Sequence, residues 1–136
     1  SFVKNELSVL SSSVTASKYA YDMAKTCPAE IDVAEIHDAF TVCELMAIKD
    51  LGLSENENAS DYVRDMFNTG NRKINPRGGL IGAGHPLGAT GISQIMEIVM
   101  QLQNKAEKRQ VCGVKKGLIH NMSAAATSST VLILES

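Results

Sequence analysis

Apolar residues recur at helical spacing over residues 14–26, VTASKYAYDMAKT, where Ala, Tyr and Met share one side of an amphipathic helix. Pro28 ends it, because proline disfavours helix at the residue before it. The next run alternates instead. Ile31, Val33, Glu35 and His37 project to one side, and Asp32, Ala34 and Ile36 to the other. That is a strand, and its mixed faces predict one covered by other layers. Helical spacing returns from Phe40 to Leu51, with Asp38 as a candidate N-cap and Gly52 as a stop. A polar stretch follows, with a short helix predicted around Ala59–Phe67. Residues 75–91, NPRGGLIGAGHPLGATG, are so rich in glycine and proline that an irregular loop is predicted, with backbone brought close to something else. A helix from about Ala89 to Asn104 puts Ile92, Ile95, Met96, Val99 and Leu102 on one stripe. Strands at Lys116–Met122 and Thr127–Leu134 follow, and their short connection predicts antiparallel pairing.

Strands alternating with helices define an α/β layered fold. The 136 residues suit one domain, residues 1–136, with no linker or internal repeat. A net charge of −2 gives no general affinity for nucleic acid or an anionic membrane. The absence of Trp argues against stacking platforms for single strands. No apolar run has transmembrane length. Cys27, Cys43 and Cys112 are widely spaced and lack a CxxC pair, which predicts free thiols, no disulfide framework and no metal site. Free thiols and the lack of a signal segment lead to the expectation of a cytoplasmic protein. The opening, SFVKNELSVL, reads like the middle of a longer protein.

Chemistry concentrates in three histidines. His37 and His120 end predicted strands, and His85 lies in the glycine loop. In layered α/β folds, ligands bind beyond the carboxyl ends of strands, so all three are candidates for one site.

The motifs around them are specific. His37-Asp38-Ala39-Phe40 resembles the HDAF-type motif of the thiolase family. Asn75-Pro76-Arg77-Gly78-Gly79 and Gly84-His85-Pro86-Leu87-Gly88-Ala89-Thr90-Gly91 resemble its glycine signatures. His120-Asn121 resembles the final-loop variant of archaeal and sterol-carrier, lipid-transfer type members. The resemblance runs from about Ala16 to the end. It implies a thiolase-like C-terminal half, a mixed sheet covered by helices within a larger αβαβα arrangement.

It also implies chemistry on acyl-CoA and acetyl-CoA, with the CoA thioester as substrate and no metal or redox cofactor. A nucleophilic cysteine would come from an N-terminal half. His85 would activate that cysteine, since a neighbouring imidazole lowers a thiol's pKa. His37 would stabilise an enolate oxygen, directly or through water, and His120 would serve as acid/base. Gly84, Asn75, Asn121 and Ser123 would contact or orient substrate. Asp38 is read as a helix cap, Cys43 as core packing, and Glu44 and Lys49 as a solvated helix face.

This sequence departs from the family pattern in its final loop. Cys112-Gly113-Val114 looks like the family's CxG segment but precedes the wrong strand, and His120 takes the aligned place. Where the family is glycine-rich, Met122-Ser123-Ala124-Ala125-Ala126 stands here. Three readings follow: an acetyl-CoA acetyltransferase or 3-ketoacyl-CoA thiolase domain, a lipid-transfer-type aldolase domain, or a non-catalytic thioester-binding subunit. The resemblance implies a homo-oligomer, and an isolated chain is expected to be inactive and to self-associate.

Overall fold

The computed structural model describes residues 9–54 and 58–136. Among the described residues five α-helices and three strands follow in order: α1 (Ser11–Ala24), β1 (Val33–Glu35), α2 (Thr41–Asp50), α3 (Ala59–Thr69), α4 (Gly79–Ala83), α5 (Thr90–Leu102), β2 (Lys116–Met122) and β3 (Ser129–Glu135). The opening residues 1–8 lie outside the described residues.

The sheet has the order β1-β2-β3. β1 runs parallel to β2 with Ala34 beside Leu118, and β2 pairs antiparallel with β3 with Ile119 beside Leu132. Ile74 adds a single parallel bridge to Ala34. The strand predicted over 31–37 shrinks to three residues, for two reasons. Asp32 turns its carboxylate onto the Lys115 and Lys116 amides, at 2.8 and 2.9 Å. The Ile36 amide donates to the Asn75 side chain at 2.8 Å rather than to a neighbouring strand.

Side-chain alternation divides the core. Ala34, Ile36, Leu118 and Met122 pack with Ile48 and Leu51 in one apolar cluster. Val33, Ile98, Val114 and Ile119 form a second, on the α5 face. Helix α1 is fixed against α2 by Tyr21, whose hydroxyl donates to the Leu51 carbonyl, and by Leu10, whose amide donates to Asp50.

Two expectations are corrected. The glycine-rich segment is not wholly irregular, because its centre forms the short helix α4. Asp38 caps that helix and not α2: its Oδ1 accepts the Leu80 amide at 2.6 Å, whereas the N-cap of α2 is Phe40, which makes no side-chain cap bond.

Helix α5 is amphipathic in an unusual sense. Its buried residues include Thr90, Gln94, Glu97 and Gln101, along with Ile98. Ile92 and Met96 of the apolar stripe stand 62% and 59% exposed. The polar face tolerates burial because it is bonded. Glu97 pairs with Arg109 at 3.0 Å, and Gln101 donates to the Arg109 carbonyl and accepts the Val111 amide. No helix among the described residues is long and apolar enough to cross a membrane.

Candidate active site

The carboxyl ends of β1 and β2 open into a cleft of about 610 Å³. His37, Phe40 and Cys43 line it from the start of α2, His85 and Leu87 from the glycine segment, and Asn121, Met122, Ser123 and Ala124 from the end of β2. Two of the three predicted histidines meet here. Their rings lie edge to face, with centroids 5.1 Å apart and planes at 86°.

His37 is buried and carries no hydrogen-bond partner on Nδ1. Burial pushes its pKa below the ordinary histidine value, and neighbouring His85 adds to this, with Asp38 opposing. A neutral imidazole therefore faces the cleft at neutral pH. Its position follows from Asp38 and Asn75, which tie the residues on either side of it to the glycine segment. His85 is exposed and has its Nδ1 2.7 Å from the Thr90 hydroxyl.

His120 lies elsewhere. It is 0% exposed and does not line the cleft. Its Nε2 meets Ser13 Oγ at 2.9 Å, and its Nδ1 faces the His37 amide at 3.5 Å. Burial first, then nearby His37, lowers its pKa to about 4. Both ring nitrogens are turned into the protein, one toward the His37 backbone and the other toward helix α1.

Among the predicted substrate-contacting residues, Asn121 and Ser123 reach the cleft, while Asn75 and Gly84 do not line it. Asn75 instead bonds Ile36 and, at 3.3 Å, the carboxylate of Glu44. Glu44 is thus half-buried against the loop rather than solvated, and burial raises its pKa. Ser123 folds its hydroxyl back onto the Thr127 and Ser128 amides. Cys43 packs against the core as expected but also lines the cleft.

Three supporting residues escaped the sequence reading. Gln94, fully buried, donates to the His120 carbonyl and accepts from the Asn121 side chain at 2.8 Å. Thr90 meets His85, and Ser13 meets His120. The signal for the first two was present: Thr90, Gln94, Glu97 and Gln101 recur at helical spacing, a polar stripe as regular as the apolar one. Among the described residues no group of His, Cys, Asp and Glu is arranged to hold a metal ion.

The mixed α/β sheet with its covering helices is the fold that the motifs imply. A family model described as "Thiolase C-terminal domain-like" matches residues 2–136, and the chain belongs to that family. It is 38% identical over 132 residues to an acetyl-CoA acetyltransferase of Methanothermobacter thermautotrophicus, covering 96% of this chain and 34% of that protein. It is 44% identical over 109 residues to sterol carrier protein 2 of Homo sapiens, covering 79% of this chain and 20% of that one. The chain thus spans about a third or less of these relatives' length.

Two solved structures share the fold. One is an Ltp2-ChsH2(DUF35) aldolase, with TM-score 0.79 and 19% identity over 99% of this chain and 34% of that chain. The other is the peroxisomal 3-ketoacyl-CoA thiolase of Saccharomyces cerevisiae, a five-layered α-β-α-β-α structure. Its TM-score is 0.57, with 24% identity over 91% of this chain and 29% of that chain.

Proposed function

We propose that this chain supplies the histidine side of an acyltransferase site that makes or breaks a carbon–carbon bond next to a CoA thioester. The observation that supports it most is the edge-to-face pair of His37 and His85 on the wall of one cleft. The chemistry needs an activated thiolate to hold the acyl group and donors at the oxygen where enolate charge develops. His85 fits the first role and neutral His37 the second. The nucleophilic cysteine comes from a further segment or subunit, in keeping with the fraction of each relative that this chain covers. The outward apolar stripe of α5 suits a helix layer covered by that additional part.

One observation favours a second reading, cleavage of a CoA thioester by retro-aldol chemistry without an acyl-enzyme. In the final loop the amides of Ser123, Ala126, Thr127 and Ser128 are already bonded within the loop. Few are left to form a second oxyanion hole.

The test is acetoacetyl-CoA thiolysis by the protein together with every segment or subunit that accompanies it. CoA-dependent cleavage, reduced by roughly 100-fold or more in His85→Ala, supports the acyltransferase. Cleavage of a 3-hydroxyacyl-CoA without free CoA, and none of acetoacetyl-CoA, supports the aldolase. Inactivity toward both, with the thioester still bound, would sink both readings and leave a binding subunit.

A further inference from the structure

We infer that Thr90 is the positioning residue for His85, serving its ring in both neutral tautomers through one hydroxyl with two acceptors in reach. The inference rests on the proposed role of His85 for its kinetic consequence, but not for its geometry.

Thr90 opens helix α5 and is 1% exposed, so its hydroxyl has no water to turn to. Its Oγ1 lies 2.7 Å from His85 Nδ1 and 3.1 Å from the Pro86 carbonyl. That carbonyl already accepts the Ala89 and Thr90 amides, at 2.7 and 3.0 Å. It is the poorer of the two acceptors, because its two lone pairs are engaged. The length of 2.7 Å is ordinary for a bond donated by a hydroxyl and short for one donated by a ring N–H. The Thr90 hydroxyl can donate to the Pro86 carbonyl or to Nδ1, and the resting arrangement inferred from these lengths is donation to Nδ1. The proton of neutral His85 then sits on Nε2, the nitrogen left for the cleft.

A histidine in this role has two tasks that need opposite ends of a hydrogen bond. Toward a thioester oxygen Nε2 must donate. Toward a thiol it must accept. The second arrangement is one hydroxyl rotation away. If Thr90 Oγ1–H turns to the Pro86 carbonyl, the oxygen accepts from Nδ1–H and Nε2 presents a lone pair. When Nε2 then takes a proton, the S–H bond breaks and an N–H bond forms. The sulfur keeps the electron pair as thiolate, and the imidazolium still donates Nδ1–H to Thr90. The ring stays in place throughout. The backbone of the His-Pro-x-Gly-x-Thr turn fixes the donor–acceptor geometry, since the Ala89 and Thr90 amides both close on Pro86.

The conservative pair Thr90→Val and Thr90→Ser isolates the hydroxyl. Val keeps the branched shape and removes the hydrogen bond, and Ser keeps the hydroxyl. In the protein with its accompanying segments, labelled with 15N-histidine, long-range 1H–15N correlation reads the His85 tautomer without any need for turnover. The native protein is expected to show His85 with its proton on Nε2, and Thr90→Ser to keep that pattern. Thr90→Val is expected to average the two nitrogens. In thiolysis Val should lower kcat by about tenfold to a hundredfold with KM within about twofold, part of what a positioned acid/base contributes. Ser should stay within about threefold.

Unchanged His85 nitrogen signals in Thr90→Val overturn the inference, as does equal impairment by Val and Ser, which would indicate packing. If the native protein catalyses no thiolysis, the proposed function fails, and the nitrogen signals still decide the role of Thr90.

Discussion

Gly79 is the position where a single methyl group should do most harm. Its φ is +63°, and an added Cβ would fall on the carboxylate of Asp38, with Oδ1 only 2.6 Å away. Two costs combine in Gly79→Ala. An L residue held in the left-handed region costs about 1–2 kcal/mol. Moving Asp38 aside strips the buried Leu80 amide of its acceptor, at about 1–3 kcal/mol. The total is about 2–5 kcal/mol. Gly70 provides the control, because its φ is +70° and nothing lies within 4 Å of its added Cβ. Gly70→Ala should therefore show the conformational cost alone. Urea unfolding followed by circular dichroism measures both variants, and equal m-values keep the comparison valid. The difference between them should be about 1–3 kcal/mol. If Gly79→Ala is no less stable than Gly70→Ala, the Asp38–Leu80 cap is not what stabilises this corner.

The other predictions concern titration and packing. Native His120 has its pKa lowered to about 4 against 6.5 in the unfolded chain, so its contribution is present above pH 6.5 and lost as pH falls through 4. That loss amounts to about 3 kcal/mol, and His120→Gln should flatten the acid limb of a stability–pH curve. Glu35 behaves oppositely. Burial raises it to about 7 against the attraction of Arg77, so its contribution is present below pH 4.5 and lost as pH rises through 7. Glu35→Gln should flatten the alkaline limb, and an unchanged limb would refute this. A Cβ at Gly117 would collide with Ile98 Cγ2 in the strand–helix contact. Gly117→Ala should cost about 1–3 kcal/mol by overpacking. Thermal melts should show Ile98→Val reducing that penalty in the double variant.

The periodic part of this fold was legible, and the part that depends on distant partners was not. Strand β2 was read with its observed bounds, and α2, α3 and α5 within two residues at each end. Those elements announce themselves through their own spacing. β1 was overextended because its ends are set by Asp32 and Asn75, whose partners lie on other segments. α4 was missed because a run of glycines gives no helical signal, and only Asp38, 42 residues away, caps it. The same reasoning explains the site. His37 and His85 were found from their motifs and do meet. His120 shares a strand-end position with His37, yet its side chain falls on the α1 side, where Ser13 waits. The alternation along β2 contained that information: His120 follows Leu118 to one face, while Asn121 follows Ile119 to the other.

The ties that flank His37 also bear on how the protein acquires its shape. Asp38 to Leu80 and Ile36 to Asn75 each close a loop of about forty residues, with separations of 42 and 39. Neither can form until α2 and α3 have been brought round to the sheet, because closing so long a loop carries an entropic cost that local contacts do not offset. On loop-closure grounds the approach of His37 to His85 is expected to follow the local pairing of β2 with β3 rather than to nucleate it. Substitutions at these ties should accelerate unfolding while leaving the refolding rate nearly unchanged, the pattern of contacts absent from the folding transition state.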